Sequence, residues 1–504
     1  MLSTVFRTGG TAVFLFALAT SPARPQAGAT LTLPEAITLA SRNNPDFLQQ
    51  ANDITVSDWA VRGAYGQLLP GASASTSYSY SAAGEQRIGN FTGSDLGLAS
   101  TTDYHSSSYS IGMSYRLSGA SLLAPGHAKT QRQATAAAIE AADFNLRVSV
   151  TRQYIAVKRA QDGVVLAVQE LARADDNLKL AQARVQVGAA IPLEAQQAQV
   201  ERGRAEVALL QAENLVQTER LRLMQLLGVD LPEDVQLTTQ FAVGAVPWTQ
   251  AELLAIAAQT HPSLRAARAQ ASASEASVQM ARAAYLPSLS FSAGVLSGFA
   301  RRAGNADFLV QQARNGAASQ AQTCTLLNQI SAGLSSPLPG MPADCSSFTL
   351  TAEQENAIRA GNQFDFSREP YSLSMSVSLP LFDGFSRERQ VEQARVARAD
   401  ASLRLKSEEL RVRTEVATAL RNAETGRRSA ELEARNAQLA EQQLILARER
   451  YRVGAASFIE LQEAETIKAR ADRAYLASLY QFHENLAALE AAVGRSLTEG
   501  AEIR

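Results

Sequence analysis

Leu69-Pro70-Gly71-Ala72-Ser73-Ala74-Ser75-Thr76-Ser77-Tyr78-Ser79-Tyr80 alternates with period two after its proline. Over Ser73 to Ala82, Ala74, Thr76, Tyr78 and Tyr80 fall on one side and five serines on the other. That spacing predicts a strand with one apolar, aromatic face and one small, polar face. Three further stretches read the same way. Ser108 to Leu117 sets Tyr109, Ile111, Met113, Tyr115 and Leu117 against serines, Gly112 and Arg116. Ser288 to Val295 sets Leu289, Phe291, Ala293 and Val295 against serines and Gly294. Tyr371 to Leu381 sets Tyr371, Leu373, Met375, Val377, Leu379 and Leu381 against serines and Pro380. Each has the length of a tilted strand that crosses a bilayer, with an outer face for lipid and an inner face for water.

The strands come in two matched pairs because the chain is duplicated. Asn44-Pro45 precedes Leu69-Pro70 at the same proline-to-proline spacing by which His261-Pro262 precedes Leu286-Pro287, without a gap. Arg184-Val185-Gln186-Val187-Gly188 returns as Arg450-Tyr451-Arg452-Val453-Gly454, and Leu227-Gly228 returns at that same offset as Val493-Gly494. Self-similarity on this scale means two structural copies sharing an axis. We read residues 30–247 as the first copy and 248–504 as the second, the latter carrying a long irregular extracellular loop at 299–370.

The rest of each copy is helical and alanine-rich. From His127 to Val187 apolar residues recur at three- and four-residue steps (Ile139, Phe144, Leu146, Val150, Tyr154, Val157) without a proline. This predicts one amphipathic helix of about 60 residues, roughly 90 Å long. Gly188 and Pro192 break it, and a second helix runs from Leu193 to Leu227. Phe385 to Val453 and Ile459 to Val493 form the corresponding pair. The later long helix comes out about one heptad longer than the earlier, which a coiled coil can absorb. The helix from Pro45 to Leu69 and that from Leu193 to Leu227 together match the long one beside them, so two short helices can stack against it.

Bulk properties exclude several classes. A net charge of -2 gives no reason to expect nucleic acid. The histidines at 105, 127, 261 and 483 stand singly, so no metal or cofactor site is expected. Ser, His and Asp occur in no nucleophile elbow, and no glycine-rich phosphate loop is present; an enzyme is not expected. No apolar run is long enough for a membrane helix. Arg7, the apolar stretch Thr11 to Thr20 and Ala27-Gly28-Ala29 read as a secretory signal over 1–29. Export favours a disulfide between Cys324 and Cys345 in the long loop.

Four strands cannot close a barrel, and lipid does not tolerate an open sheet edge. Two chains would give eight strands and a lumen filled by side chains, whereas three give twelve and room for water. The expectation is a trimer.

With the paired Leu-Pro junctions, the Asn-Pro and His-Pro helix starts, Leu381-Phe382-Asp383-Gly384-Phe385, and the Arg450–Gly454 turn followed by Phe458-Ile459-Glu460-Leu461, the whole mature chain resembles the TolC-like outer membrane efflux proteins. The resemblance implies a fold that is mainly α with a membrane β-barrel: duplicated antiparallel coiled-coil helices plus four strands per chain, forming a homotrimeric channel with a periplasmic helical tunnel. It implies a passive exit duct in the outer membrane lipid, docked to a periplasmic adaptor and an inner-membrane transporter. The alternative within the family is the duct of one-step (type I) protein secretion. A trimeric adhesin would show one heptad stalk and a single anchor instead of two interleaved copies.

The turns at Gly188 and Gly454 then form the periplasmic tip, where a glycine allows the positive φ that redirects the chain. Arg184, Val185, Val187, Arg450 and Val453 are the candidates for adaptor docking. Glu460 and Glu463 share a helix face by their spacing, and threefold symmetry would gather six carboxylates into a cation-attracting ring. The resemblance places aspartates at these two positions, a gate tyrosine at Tyr451 and an acid at Glu194. At Ala456 it places an arginine that helps latch the gate, and the alanine here puts that latch in doubt.

Overall fold

The computed structural model describes residues 30–84, 87–92, 103–232, 235–239, 241–334, 342, 344–362 and 364–497. The signal segment read over 1–29 lies outside the described residues. In chain order the elements are β1 (Thr30–Leu31), α1 (Leu33–Asn43), α2 (Pro45–Ala51), α3 (Asp53–Gly66), β2 (Gly71–Ser81), β3 (Arg87–Ile88), β4 (Phe91–Thr92) and β5 (Tyr104–Leu117). There follow α4 (Gly119–Gln186), α5 (Pro192–Leu227), β6 (Gln236–Leu237), α6 (Gln250–Thr260), α7 (Pro262–Arg282), β7 (Ser288–Ala303) and α8 (Ala306–Ala332). The chain ends with α9 (Ala352–Ala360), β8 (Ser367–Glu369), β9 (Ser372–Ser378), α10 (Ser386–Arg452) and α11 (Phe458–Val493). It is mostly helical, with a smaller set of antiparallel strands.

Two compact units result. One combines the described residues up to Asp53 with Thr135–Arg268 and the chain from Arg404 onward; the other combines Ile54–Ala134 with Ala269–Leu403.

In the first unit the duplication is visible side chain by side chain. Thr32 and Glu35 form a capping box on α1, and Thr249 and Glu252 form the same box on α6, at the offset that relates Pro45 to Pro262. Each pair satisfies two backbone donors that a helix start leaves unbonded. Both helices end in an extended residue before a proline, Asn44 and His261. One core cluster contains Leu146, Val150, Tyr154 and Val157 of α4 with Leu223 and Leu227 of α5. The other contains Val412, Val416, Leu420 and Ala423 of α10 with Leu489 and Val493 of α11. Taken in order, the members of the two sets correspond one to one at the offset that relates Gly188 to Gly454. The spacing i, i+4, i+8, i+11 makes one stripe on each long helix.

The two long helices are nearly equal, 68 and 67 residues, so the extra heptad expected for the later one is absent. The difference lies at the start of the earlier helix, expected at His127, after Pro125. The helix begins at Gly119, where Ser118 Oγ accepts the backbone N–H of Ser121 and the Ser118 carbonyl accepts that of Leu122. Pro125 removes one donor near the start without ending the helix.

In the second unit β2, β5, β7 and β9 form an antiparallel sheet in that order, with β8 also on β7. Ser75↔Ser110 and Ser77↔Ser108 are directly opposed, with their hydroxyls 2.8 Å apart. Ser292 and Ser374 form a like pair at 2.6 Å. Leu117, Leu289 and Val377 are in register on the opposite face. A bulge at Ile111/Gly112 re-aims the upper part of β7.

The segment at 299–370 is not irregular throughout, as the sequence suggested. β7 continues to Ala303, and α8 follows behind Asn305, whose Oδ1 accepts the N–H groups of Asp307 and Phe308. Alanine and glutamine are strong helix formers, and the Asn cap starts them as one helix. Cys324 of α8 is disulfide-bonded to Cys345, and Arg314 grips Glu355 of α9 with two hydrogen bonds.

Gly228 and Gly494 end α5 and α11 with φ of 69° and 84°. A Cβ on Gly494 would stand 2.6 Å from His261 Cα and 2.9 Å from Pro262 Cδ, whereas one on Gly188 (φ 73°) would meet nothing within 4 Å. Gly188→Ala should cost only the left-handed backbone term, about 1–2 kcal/mol. Gly494→Ala adds a backbone clash and should lower the apparent melting temperature clearly more. Equal shifts in thermal unfolding would show that the helix end can move aside.

Candidate functional site

The two helix–helix turns are built alike. At the first, the N–H of Ala189 donates to Arg184 O at 2.8 Å and that of Gly188 to Val185 O at 3.0 Å. At the second, Ala455 donates to Arg450 O at 2.8 Å and Gly454 to Tyr451 O at 3.1 Å. This paired closure needs a left-handed residue, which Gly188 and Gly454 supply. Each arginine also reaches over its own turn, Arg184 to Ala189 O at 3.1 Å and Arg450 to Ala455 O at 3.3 Å. Val187 and Val453 stand exposed at equivalent positions, and Val185 is half-buried.

The same equivalence pairs Val185 with Tyr451 and Glu194 with Glu460. Here the copies diverge. Tyr451 has 0% of its surface exposed. Its hydroxyl donates to Glu194 Oε2 at 2.8 Å. The Arg184 guanidinium lies 4.3 Å from its ring centroid and bonds its backbone carbonyl, and Phe458 meets the ring edge-on at 5.8 Å. The structure therefore brings Arg184, Glu194 and Tyr451 into one contact joining the two turns. Burial foremost, and then the Glu194 carboxylate, pushes the Tyr451 phenol up to about 12, against the opposing Arg184 charge.

Val185 has no hydroxyl, so no matching bond to Glu460 can form. Glu460 instead caps α11: its backbone N–H donates to Ser457 Oγ at 3.3 Å, and its carboxylate accepts from Ser457 N at 3.5 Å. Arg450 approaches it at 3.9 Å. Glu463 is exposed and makes no ion pair among the described residues. Phe458, Leu461 and Ala464 turn inward to a core with Leu178, Ala181, Ala198, Leu444 and Tyr451, and Ala456 packs at its margin.

Sequence reasoning missed what lies next to this core. Arg473 binds Glu170, Asn177 donates to Glu465 at 2.8 Å, and Arg173 lies 3.6 Å from Glu465 and 3.7 Å from Asp472. Lys468, buried, is held by Asp472 at 2.6 Å and Glu441 at 2.9 Å. A cleft of about 520 Å³ opens between α4, α5 and α11, lined by Glu170, Arg173, Arg204, Gln462, Glu465 and Arg473 among others. The signal available was only the charge content of the helices, which does not say which charges meet across them. Among the described residues there is no cluster that could hold a metal ion and no helix long and apolar enough to cross a membrane.

A family profile described as outer membrane efflux protein matches residues 36–229 and 253–495. Solved structures of similar fold include a membrane protein from Pseudomonas aeruginosa, 21% identical, with 93% of this chain and 91% of that one covered at a TM-score of 0.67. They also include the Campylobacter jejuni CmeC outer membrane channel, 17% identical, covering 93% and 88% at 0.67. The open state of the Neisseria gonorrhoeae MtrE outer membrane channel is 20% identical, covering 92% and 89% at 0.65. At these identities the likeness is one of fold. No curated protein matches the chain by sequence.

The raised Tyr451 value means that folding favours the protonated phenol. Its contribution is complete below the ordinary value of 10 and is lost as pH rises through about 12. Phenolate absorbance of the intact protein, with Tyr451→Phe as the subtracted reference, should show this late step. Glu194→Gln should move it down and Arg184→Ala up. Titration at the ordinary value in the parent would contradict the buried contact.

Proposed function

The chain belongs to the outer membrane efflux protein family, and from that membership we propose that it is the passive exit duct of a tripartite efflux system, formed by three copies. Outer membrane channels of this kind transport; they do not catalyse covalent chemistry. The observation that carries the trimer is the sheet itself. β2 and β9 each pair on one side only among the described residues, and both are exposed throughout. Joined edge to edge in three copies, β2 of one to β9 of the next, the sheets close into a twelve-stranded barrel with no free edge. The serine face then lines water, and the face of Leu117, Leu289 and Val377 meets lipid.

In this reading the two turns are the periplasmic tip. Arg184, Val185, Val187 and Gly188, with Arg450, Val453 and Gly454, form the surface on which a periplasmic adaptor docks, and an inner-membrane transporter supplies the driving force. The Tyr451–Glu194 bond under Arg184 holds the two helical hairpins of one chain together. Glu460 and Glu463, on the outward side of α11, supply the six carboxylates of the constriction. The helix-capping role of Glu460 is compatible with this, because a capping carboxylate remains at the helix start.

Crosslinking of the purified protein should trap three copies, and planar bilayers should show small, cation-selective currents. Glu460→Ala with Glu463→Ala should abolish most of the cation preference while trimers still form. Unchanged selectivity in that double variant would remove the two glutamates from the pore. A species that never exceeds one chain would sink the shared barrel.

A further inference from the structure

Arg173 of α4 stands between two carboxylates of α11 and closes on neither. Glu465 and Asp472 are seven residues apart, so they project from one helix face two turns from each other. Arg173 Nε is 3.6 Å from Glu465 Oε2, and Arg173 Nη2 is 3.7 Å from Asp472 Oδ2. Both separations are too long for a hydrogen bond and too short for a water to bridge the two atoms. Among the described residues neither nitrogen has a hydrogen-bond partner, although the side chain is only 20% exposed. A guanidinium so far buried ordinarily grips one carboxylate through two parallel bonds. Here it is held midway.

Each carboxylate has a second partner that does not depend on Arg173. The other oxygen of Glu465 accepts from Asn177 Nδ2 at 2.8 Å, and the other oxygen of Asp472 accepts from Lys468 at 2.6 Å. Asn177 is 8% exposed, and Lys468 is also paired with Glu441 of α10 at 2.9 Å. Whichever carboxylate loses Arg173 therefore keeps a bonded neighbour, and neither choice strands a buried charge. The cleft that Arg173 and Glu465 line gives the guanidinium room to move. The directions follow from the chain. α4 runs toward the Gly188 turn and α11 runs away from the Gly454 turn, so Glu465 lies on the turn side of Arg173 and Asp472 on the far side. Sliding α11 toward its own turn brings Asp472 onto Arg173, and the reverse slide brings Glu465. A step of about 1 Å closes either gap to hydrogen-bond length.

We propose that Arg173 is a two-position catch between the helical hairpins α4–α5 and α10–α11. It commits to Glu465 in one register and to Asp472 in the other, and the choice sets whether the tip rests closed or open. The Tyr451–Glu194 bond joins the same two hairpins at 2.8 Å, and it pins the midway register. Once that bond lets go, Arg173 falls to one side. Packed helices shear by steps of this size, and two discrete bonded positions give two states where a smooth interface would give a continuum. Arg173 is a positioning residue, and the inference rests on the reading of the chain as a gated duct.

Glu465→Gln and Asp472→Asn are made separately, each removing one negative charge. Trimer formation is checked, and the fraction of time open is measured on single channels in planar bilayers. The two variants should shift that fraction several-fold in opposite directions, because each leaves Arg173 a single charged partner. Asp472→Glu, one methylene longer and still charged, should close the 3.7 Å gap and side with Glu465→Gln. In an Arg173→Ala background the opposition should vanish. Shifts of one sign in Glu465→Gln and Asp472→Asn, which lost charge or lost packing would give, overturn the catch. So does the absence of any shift, an Asp472→Glu that sides with Asp472→Asn, or an opposition that survives Arg173→Ala. If the parent forms no channels, the duct reading fails and the catch with it. A parent that gates while its variants do not oppose each other removes the catch alone.

Discussion

A strand edge facing hydrocarbon leaves N–H and C=O groups with nothing to bond, at a cost of several kcal/mol for each group. In the proposed barrel β2 and β9 would carry two such edges, and no other described strand pairs with their outer sides. A soluble sheet can blunt an edge with charge or a bulge, but β2 is a straight run of small and aromatic residues with neither. In the proposed barrel these edges are met by neighbouring copies, and the alternation of faces sets which side meets water. Hydroxyl pairs such as Ser75 with Ser110 satisfy one another across the ladder and still bond water. The leucine and methionine face has no such use for water.

Much of this is legible in the sequence because period-two alternation and fixed-offset repeats survive without knowledge of any contact. The offset that relates the two turns extends to the cores, where Val150 and Val416 or Leu223 and Leu489 hold equivalent places. The differences have local causes. Pro125 reads as a helix boundary, yet α4 runs through it from Gly119 with one intrahelical donor lost. The insertion before β9 reads as loop because its glycine and serine content hides an alanine-rich run behind one capping asparagine. The paired Thr-x-x-Glu caps of α1 and α6 are readable from spacing alone, yet only the structure drew them out.

At the turns, legibility runs out for a different reason. That Tyr451 matters could be drawn only from resemblance, since nothing in Arg450–Gly454 says that its ring is buried under an arginine far earlier in the chain. The contacts of Arg473 with Glu170 and of Asn177 with Glu465 are likewise pairings across helices. A charged helix offers many candidates at each step, and only packing selects among them. Glu460 has a second relation that is easily passed over. Its i, i+3 relation to Glu463 catches the eye, while the equal spacing from Ser457, which makes it a cap, does not.

The divergence of the copies at one position, valine in the first and tyrosine in the second, has an energetic consequence. A hydrogen bond to a carboxylate contributes about 1.5–3 kcal/mol and a partly exposed cation–π contact about 0.5–1 kcal/mol. Glu194 is only half-buried, so solvent keeps the first toward its lower end. In the proposed gate a clasp of that size helps the core of Leu178, Leu444 and Phe458 hold the hairpins together in the absence of a partner. It is also weak enough for a partner to release, because differential binding of a few kcal/mol shifts such an equilibrium decisively. Had the first copy also carried a tyrosine, a second clasp could have claimed Glu460. Its absence leaves that carboxylate at the start of α11, which the proposed trimer would bring to the common axis.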